Sequence, residues 1–67
     1  MAWAVRLRGE VRDGELRQWD EPWWLMQWAD AECARSVQAE HAQVFEGEAE
    51  AVLAIARTPW VGELVEV

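Results

Sequence analysis

Residues 3–19, WAVRLRGEVRDGELRQW, constrain this chain more than any other stretch. Trp3, Val5, Leu7 and Val11 share one parity, with Gly9 between them, and Arg6, Arg8, Glu10 and Arg12 share the other. A period of two is the pattern of a strand with one face buried. Asp13-Gly14 stands between two such runs. It is the strongest short-range hairpin signal, because a type I′ turn needs φ > 0 at both central residues. A two-residue turn there sets the register: Arg12 opposite Glu15, Val11 opposite Leu16, Glu10 opposite Arg17 and Arg8 opposite Trp19. The apolar pair then lies on one face. Two opposite-charge pairs and a cation–π pair lie on the other, each contributing roughly 0.2–1 kcal/mol.

The next segment, WDEPWWLMQW, holds four of the six tryptophans in residues 19–28. It supports two readings. Asp20 is a fit N-cap, Pro22 is tolerated in a first helical turn, and no breaker follows before Gly47, so propensity predicts one long helix over 21–44. Against this, large aromatics at period two suit a strand over about 23–28. Further on, Gly47 is placed to N-cap a helix over about 47–57. Glu48 and Glu50 complement its dipole, and Thr58-Pro59 stops it. The apolar run AEAVLAIA predicts a helix covered over most of its surface. WVGELVEV then reads as a last strand over about 60–67, with Val61, Val65 and Val67 on one parity and Trp60 and Leu64 on the other.

The closing pattern runs Ala42, Val44, Phe45, then Glu50-Ala51, then Leu64-Val65-Glu66-Val67. It resembles the C-terminal half of small phage and plasmid orphan proteins, with Gly47 where those proteins carry a Ser or Thr cap. The resemblance covers residues 42–67 and implies a ββαβ-like unit, which favours strand in the middle segment. The size and acidity also resemble those of phage-borne anti-CRISPR proteins, a likeness of profile and not of motif. The expected fold is α+β in a single domain spanning 1–67. A small antiparallel sheet, with an N-terminal hairpin over about 2–19 and strands over about 23–28 and 60–67, packs with one helix over about 47–57. The alternative is the long helix over 21–44.

A chain of 67 residues buries only about 60% of its unfolded surface, so its margin of stability is small. Cys33 is the sole cysteine, so no internal disulfide can add to it. No apolar run approaches the length of a membrane span, and the N-terminal apolar run breaks at Arg6, so the expected location is cytoplasmic, away from membranes. Residues 1–17 set four arginines against three carboxylates. Residues 18–67 set Arg35 and Arg57 against ten carboxylates, within a net charge of −7. Such a chain repels nucleic-acid phosphate and attracts basic surfaces.

Little here points to catalysis. Cys33 and His41 invite a thiol–imidazole reading, but a small buried thiol and a surface imidazole explain them better. Ser36 and Thr58 are the remaining nucleophiles. Glu46, Glu48 and Glu50 fit a solvated helix start better than a cation site, and the glycines at 9, 14, 47 and 62 form no phosphate loop. The expectation is no enzyme, no cofactor and no metal.

The tryptophans remain. With one Phe and no Tyr, several must fill the core. Trp3 belongs with Val5 and Leu7, and Trp60 is expected to cover a sheet or helix end. In an extended segment Trp24 and Trp28 share one face and Trp23 takes the other, so Trp24 and Trp28 are expected inside and Trp19 and Trp23 partly exposed. Tryptophan is enriched at binding hot spots. Trp19 and Trp23, rimmed by Asp20, Glu21, Asp30 and Glu32, therefore form the expected partner-binding surface. The partner is a protein with a basic surface, such as one that binds nucleic acid. The chain itself is expected to be a monomer or homodimer, the dimer using the same tryptophans.

Overall fold

The computed structural model describes residues 1–27 and 33–67. The chain is α+β. Strands β1 (Trp3–Arg12), β2 (Glu15–Gln27), β3 (Cys33–Ser36) and β4 (Trp60–Glu66) form one antiparallel sheet in the order β3-β2-β1-β4. The chain crosses from the β3 edge to the β4 edge through a 3-10 turn at Ala39–His41 and the helix α1 (Glu48–Ala56).

The turn forms as its sequence requires. Asp13 and Gly14 have φ of 52° and 78°, and Arg12–Glu15, Val11–Leu16 and Glu10–Arg17 are opposite one another as expected. The fourth expected pair, Arg8 with Trp19, does not form. At Arg8 the central strand changes register against both neighbours. On the β4 side the ladder runs from Leu7–Gly62 directly to Gly9–Val61, so Arg8 is an extra residue. On the β2 side it runs from Leu7–Trp23 to Gly9–Gln18, so residues 19–22 oppose Arg8 alone. Pro22 falls inside this interval, where its missing N–H breaks no ladder bond. Backbones approach closely at the break: a Cβ on Gly9 would lie 2.3 Å from the Arg17 carbonyl oxygen.

A bulge exchanges the faces of a strand. Before it, Val5 and Leu7 face α1 and pack with Leu25, Phe45 and Ala51 in the core. Beyond it, Glu10 pairs with Trp60, which packs on that same core, so Val11 and Leu16 turn to the opposite face and are 45% and 56% exposed. The expected burial of this pair is thus corrected, because uninterrupted alternation cannot survive an inserted residue.

Three further expectations change. The hairpin arm and the strand over about 23–28 are one strand, β2, continued through the bulge, and the described residues of 21–44 include strand residues and a 3-10 turn in place of the alternative long helix. β3 and the 3-10 turn are additional elements. Within β2 the inward parity belongs to Trp23 and Leu25. Trp24, expected inside, lies half-buried on the face away from α1, opposite Arg6 and Ser36. Trp28 lies outside the described residues.

The segment before α1 is tied down where Phe45 and Trp3 exchange backbone hydrogen bonds of 2.8 and 2.7 Å. Gly47 holds an extended N-cap conformation, and Glu48 and Glu50 occupy the first turn. At the far end the Thr58 hydroxyl donates to the Ile55 carbonyl at 2.8 Å and accepts from the Trp60 N–H at 3.1 Å, ending the helix and starting β4. Only one side of α1 is covered: Ala51 is buried, while Val52 and Leu53 are 48% and 59% exposed. The apolar run therefore does not mean a covered helix. A single sheet beneath can bury only one stripe.

Two glycine substitutions separate strain from collision. Gly14→Ala meets no neighbour within 4 Å but retains a φ of 78°, so it should cost about 1–3 kcal/mol in strain. Gly9→Ala drives a Cβ into backbone and should cost at least as much, breaking the ladder at the bulge. Urea denaturation of both variants checks this; a Gly9→Ala protein with wild-type stability would refute the close approach.

Candidate functional site

The exchange of faces at Arg8 brings distant aromatic residues together. Trp19 and Trp23 flank the β2 bulge on the α1 side, and Trp60 opens β4 on that side. Their rings meet edge to face. The Trp19 and Trp23 centroids are 6.2 Å apart at 69°, and those of Trp19 and Trp60 are 6.4 Å apart at 67°. Edge-to-face pairing sets the positive edge of one ring against the negative face of another and adds about 0.5–1.5 kcal/mol per pair to area burial. All three are half-buried and pack against the core.

Into this cluster reaches Arg35. Its register opposite Leu25 puts it on the α1 side, beside Trp23. Its guanidinium carbon lies 3.9 Å from the Trp19 ring centroid, 4.5 Å from that of Trp23 and 5.7 Å from that of Trp60. All three are within the ~6 Å range of cation–π attraction. Arg6 and Arg8 pair with Glu63, whereas the Arg35 guanidinium lies against the ring faces. The expected partner of Arg8, Trp19, is therefore the neighbour of Arg35 instead.

Asp20 and Glu21 lie in the bulge itself and are exposed. With Arg6, Arg8, Gln18, Trp19 and Pro22 they line an open cleft of about 320 Å³. Trp19 is thus a wall common to the cleft and the aromatic cluster. On the same flank Glu63 accepts from Arg6 Nε at 2.9 Å, from Arg6 Nη2, and from Arg8 Nη2 at 2.7 Å. Hydrogen bonds from Arg6, and next from Arg8, hold the Glu63 carboxyl below the ordinary carboxylate range.

Of the six residues expected to bind a partner, the fold gathers Trp19, Trp23, Asp20 and Glu21 around one bulge. Asp30 and Glu32 lie outside the described residues. Arg35 and Trp60 complete the cluster and carry no local signal for it. They join it through pairings made elsewhere, Leu25 with Arg35 and Glu10 with Trp60.

Ser36 and His41 also meet, with Oγ and Nδ1 2.9 Å apart, while Ser36 Oγ accepts the Gln38 N–H at 3.1 Å. The hydroxyl oxygen thus accepts the Gln38 N–H while lying within hydrogen-bond reach of the imidazole. Among the described residues no group of three His, Cys, Asp or Glu side chains is arranged to hold a metal, and no helix is long and apolar enough to cross a membrane. Compared with protein families, curated proteins and solved structures, the chain matches none.

A depressed carboxyl pKa contributes stability that is present above the unfolded value, near 4.5, and is lost as pH falls through the folded value. The wild type should therefore lose stability on acidification below that point, and Glu63→Gln should flatten this part of the profile. Thermal melts of both proteins across the acid range test it; parallel profiles would contradict the assignment.

Proposed function

We propose that this chain is a small acidic, non-enzymatic binding protein that inhibits a nucleic-acid-binding protein by occupying its surface, as phage-borne anti-CRISPR-like inhibitors and DNA mimics do. The observation that carries this reading is the bulge. It holds Asp20 and Glu21 outward beside the half-buried Trp19, on a molecule of net charge −7. Exposed carboxylates stand in for phosphates and steer a basic surface toward contact. The aromatic cluster next to them offers apolar area that a bound partner would desolvate. The chemistry asked of the protein is positioning and exclusion, with no bond made or broken.

A second reading, a self-associating accessory protein, is favoured by the sheet face away from α1. That face carries Trp24 and Met26, both half-buried, together with the exposed Val11 and Leu16. Ionic strength separates the two readings. Charge-steered binding weakens as salt rises, whereas apolar self-association persists.

Replacing Asp20, Glu21, Asp30 and Glu32 by Asn or Gln should slow association with a basic partner and flatten its salt dependence, and the exposed Asp20 and Glu21 should each contribute a stability change of less than about 0.5 kcal/mol. Trp23 packs on the core, so its loss should raise the dissociation rate and also lower stability. Binding kinetics with the partner's nucleic acid as competitor provide the check. Unchanged affinity and salt slope in the four-site variant, or failure of nucleic acid to compete, would contradict inhibition by mimicry. Sedimentation showing salt-resistant oligomers would favour the accessory reading.

A further inference from the structure

We infer that the box formed by Trp19, Trp23 and Trp60 is a receptor site for a soft organic cation, a methylated ammonium or a guanidinium, and that Arg35 is its built-in occupant. The inference goes beyond the binding reading above and does not depend on which macromolecule that reading requires.

The geometry is that of a cage. Two edge-to-face contacts, at 69° and 67°, set three indoles around one positive group, which all three approach within 6 Å. Such boxes select weakly hydrated cations, because the ring faces replace a hydration shell that costs little to lose. A bare ammonium or an alkali ion holds its water too tightly to gain from the exchange.

Arg35 is suited to be displaced. It is exposed and stands on β3, a four-residue edge strand paired with β2 alone. Among the described residues no carboxylate anchors it within the box. Vacating the site needs rotation of one long side chain, with the backbone ladder intact. The three walls are held independently of it. Trp23 is held by its pairing with Leu7, Trp60 by its place opposite Glu10 and the hydrogen bond from its N–H to Thr58, and Trp19, inside the bulge, by packing on the core and on the other two indoles. Asp20 and Glu21 are exposed and line the cleft that shares Trp19 as a wall with the box, so their charge favours the approach of a cation to this side of the molecule.

A cation of this kind has two sources: a free quaternary ammonium or guanidinium compound, or a side chain of a peptide. The test titrates tetramethylammonium chloride and, separately, a short capped peptide carrying one trimethyl-lysine. Sodium chloride matches ionic strength, tryptophan fluorescence is the readout, and the proteins are the wild type, Arg35→Ala, and Arg35→Ala combined with Trp60→Leu. Removing the occupant should tighten saturable binding about tenfold or more over wild type, and removing one wall should abolish the gain. Binding of both ligands, or of the free cation alone, marks a small-cation receptor; binding of the peptide alone marks a side-chain receptor. Either result supports the cage. A folded Arg35→Ala protein that binds neither ligand overturns it. If Arg35→Ala does not fold, indole N–H resonances of the wild type decide. Saturable shifts at Trp19, Trp23 and Trp60 but not at Trp3 support the cage, and their absence refutes it.

Discussion

β1 changes register against both of its neighbours at one residue, Arg8, and the placement of the aromatic side chains described here depends on that break. Without it, Val11 and Leu16 would extend the apolar face of Val5 and Leu7, and Trp19 would stand with the charged side chains. With it, the sheet is divided. The half nearest the chain termini buries Val5, Leu7, Leu25 and Phe45 beneath α1. The half nearest the turn presents Trp19 and Trp60 on the α1 side and leaves Val11 and Leu16 in water. A one-residue offset is enough because side chains alternate with a period of two. Three conditions hold the break in place: Gly9 accepts the close approach of the Arg17 carbonyl, Pro22 sits where no ladder donor is needed, and Arg6 and Arg8 close on Glu63 across the same region.

Much of the local structure could be read from the sequence, because its causes are local. Asp13-Gly14 determines a turn with two positive φ values, and that turn fixes the three nearest cross-strand pairs. Gly47, the glutamates after it and Thr58-Pro59 bound α1 to within a residue of expectation. The bulge was not legible, since a parity count assumes that no residue is inserted, and its clues, Gly9 and Pro22, have other readings when taken singly. The cage was still less legible. It joins residues 19, 23, 35 and 60 through two strand pairings, one of them made by an edge strand that lies within the stretch where helix propensity is strongest. Tryptophan enrichment marked Trp19 and Trp23 as unusual, but only the fold supplies Trp60 and the cation.

Charge and aromatic character have different places in this molecule, and they do different work. The exposed carboxylates act at long range and are screened by salt, whereas the indole cluster acts only on contact and is not. Arg35 joins the two, since it is a cation held by aromatic faces in a chain whose net charge is strongly negative. The same four side chains strengthen the fold, because they tie the edge strand β3 to the start of β4 across two intervening strands. In the receptor reading inferred above, the cluster exchanges its internal cation for an external one while the sheet beneath it stays fixed.

The break at Arg8 places Trp19 against Trp60 and Arg35. Proton NMR measures this directly, through nuclear Overhauser contacts of the Trp19 indole and ring-current shifts of the arginine side chains. The account predicts contacts from Trp19 to both Trp23 and Trp60, with the Arg35 methylene protons displaced upfield by the surrounding rings. Random-coil shifts for Arg35, together with no contact from Trp19 to Trp60, would contradict it.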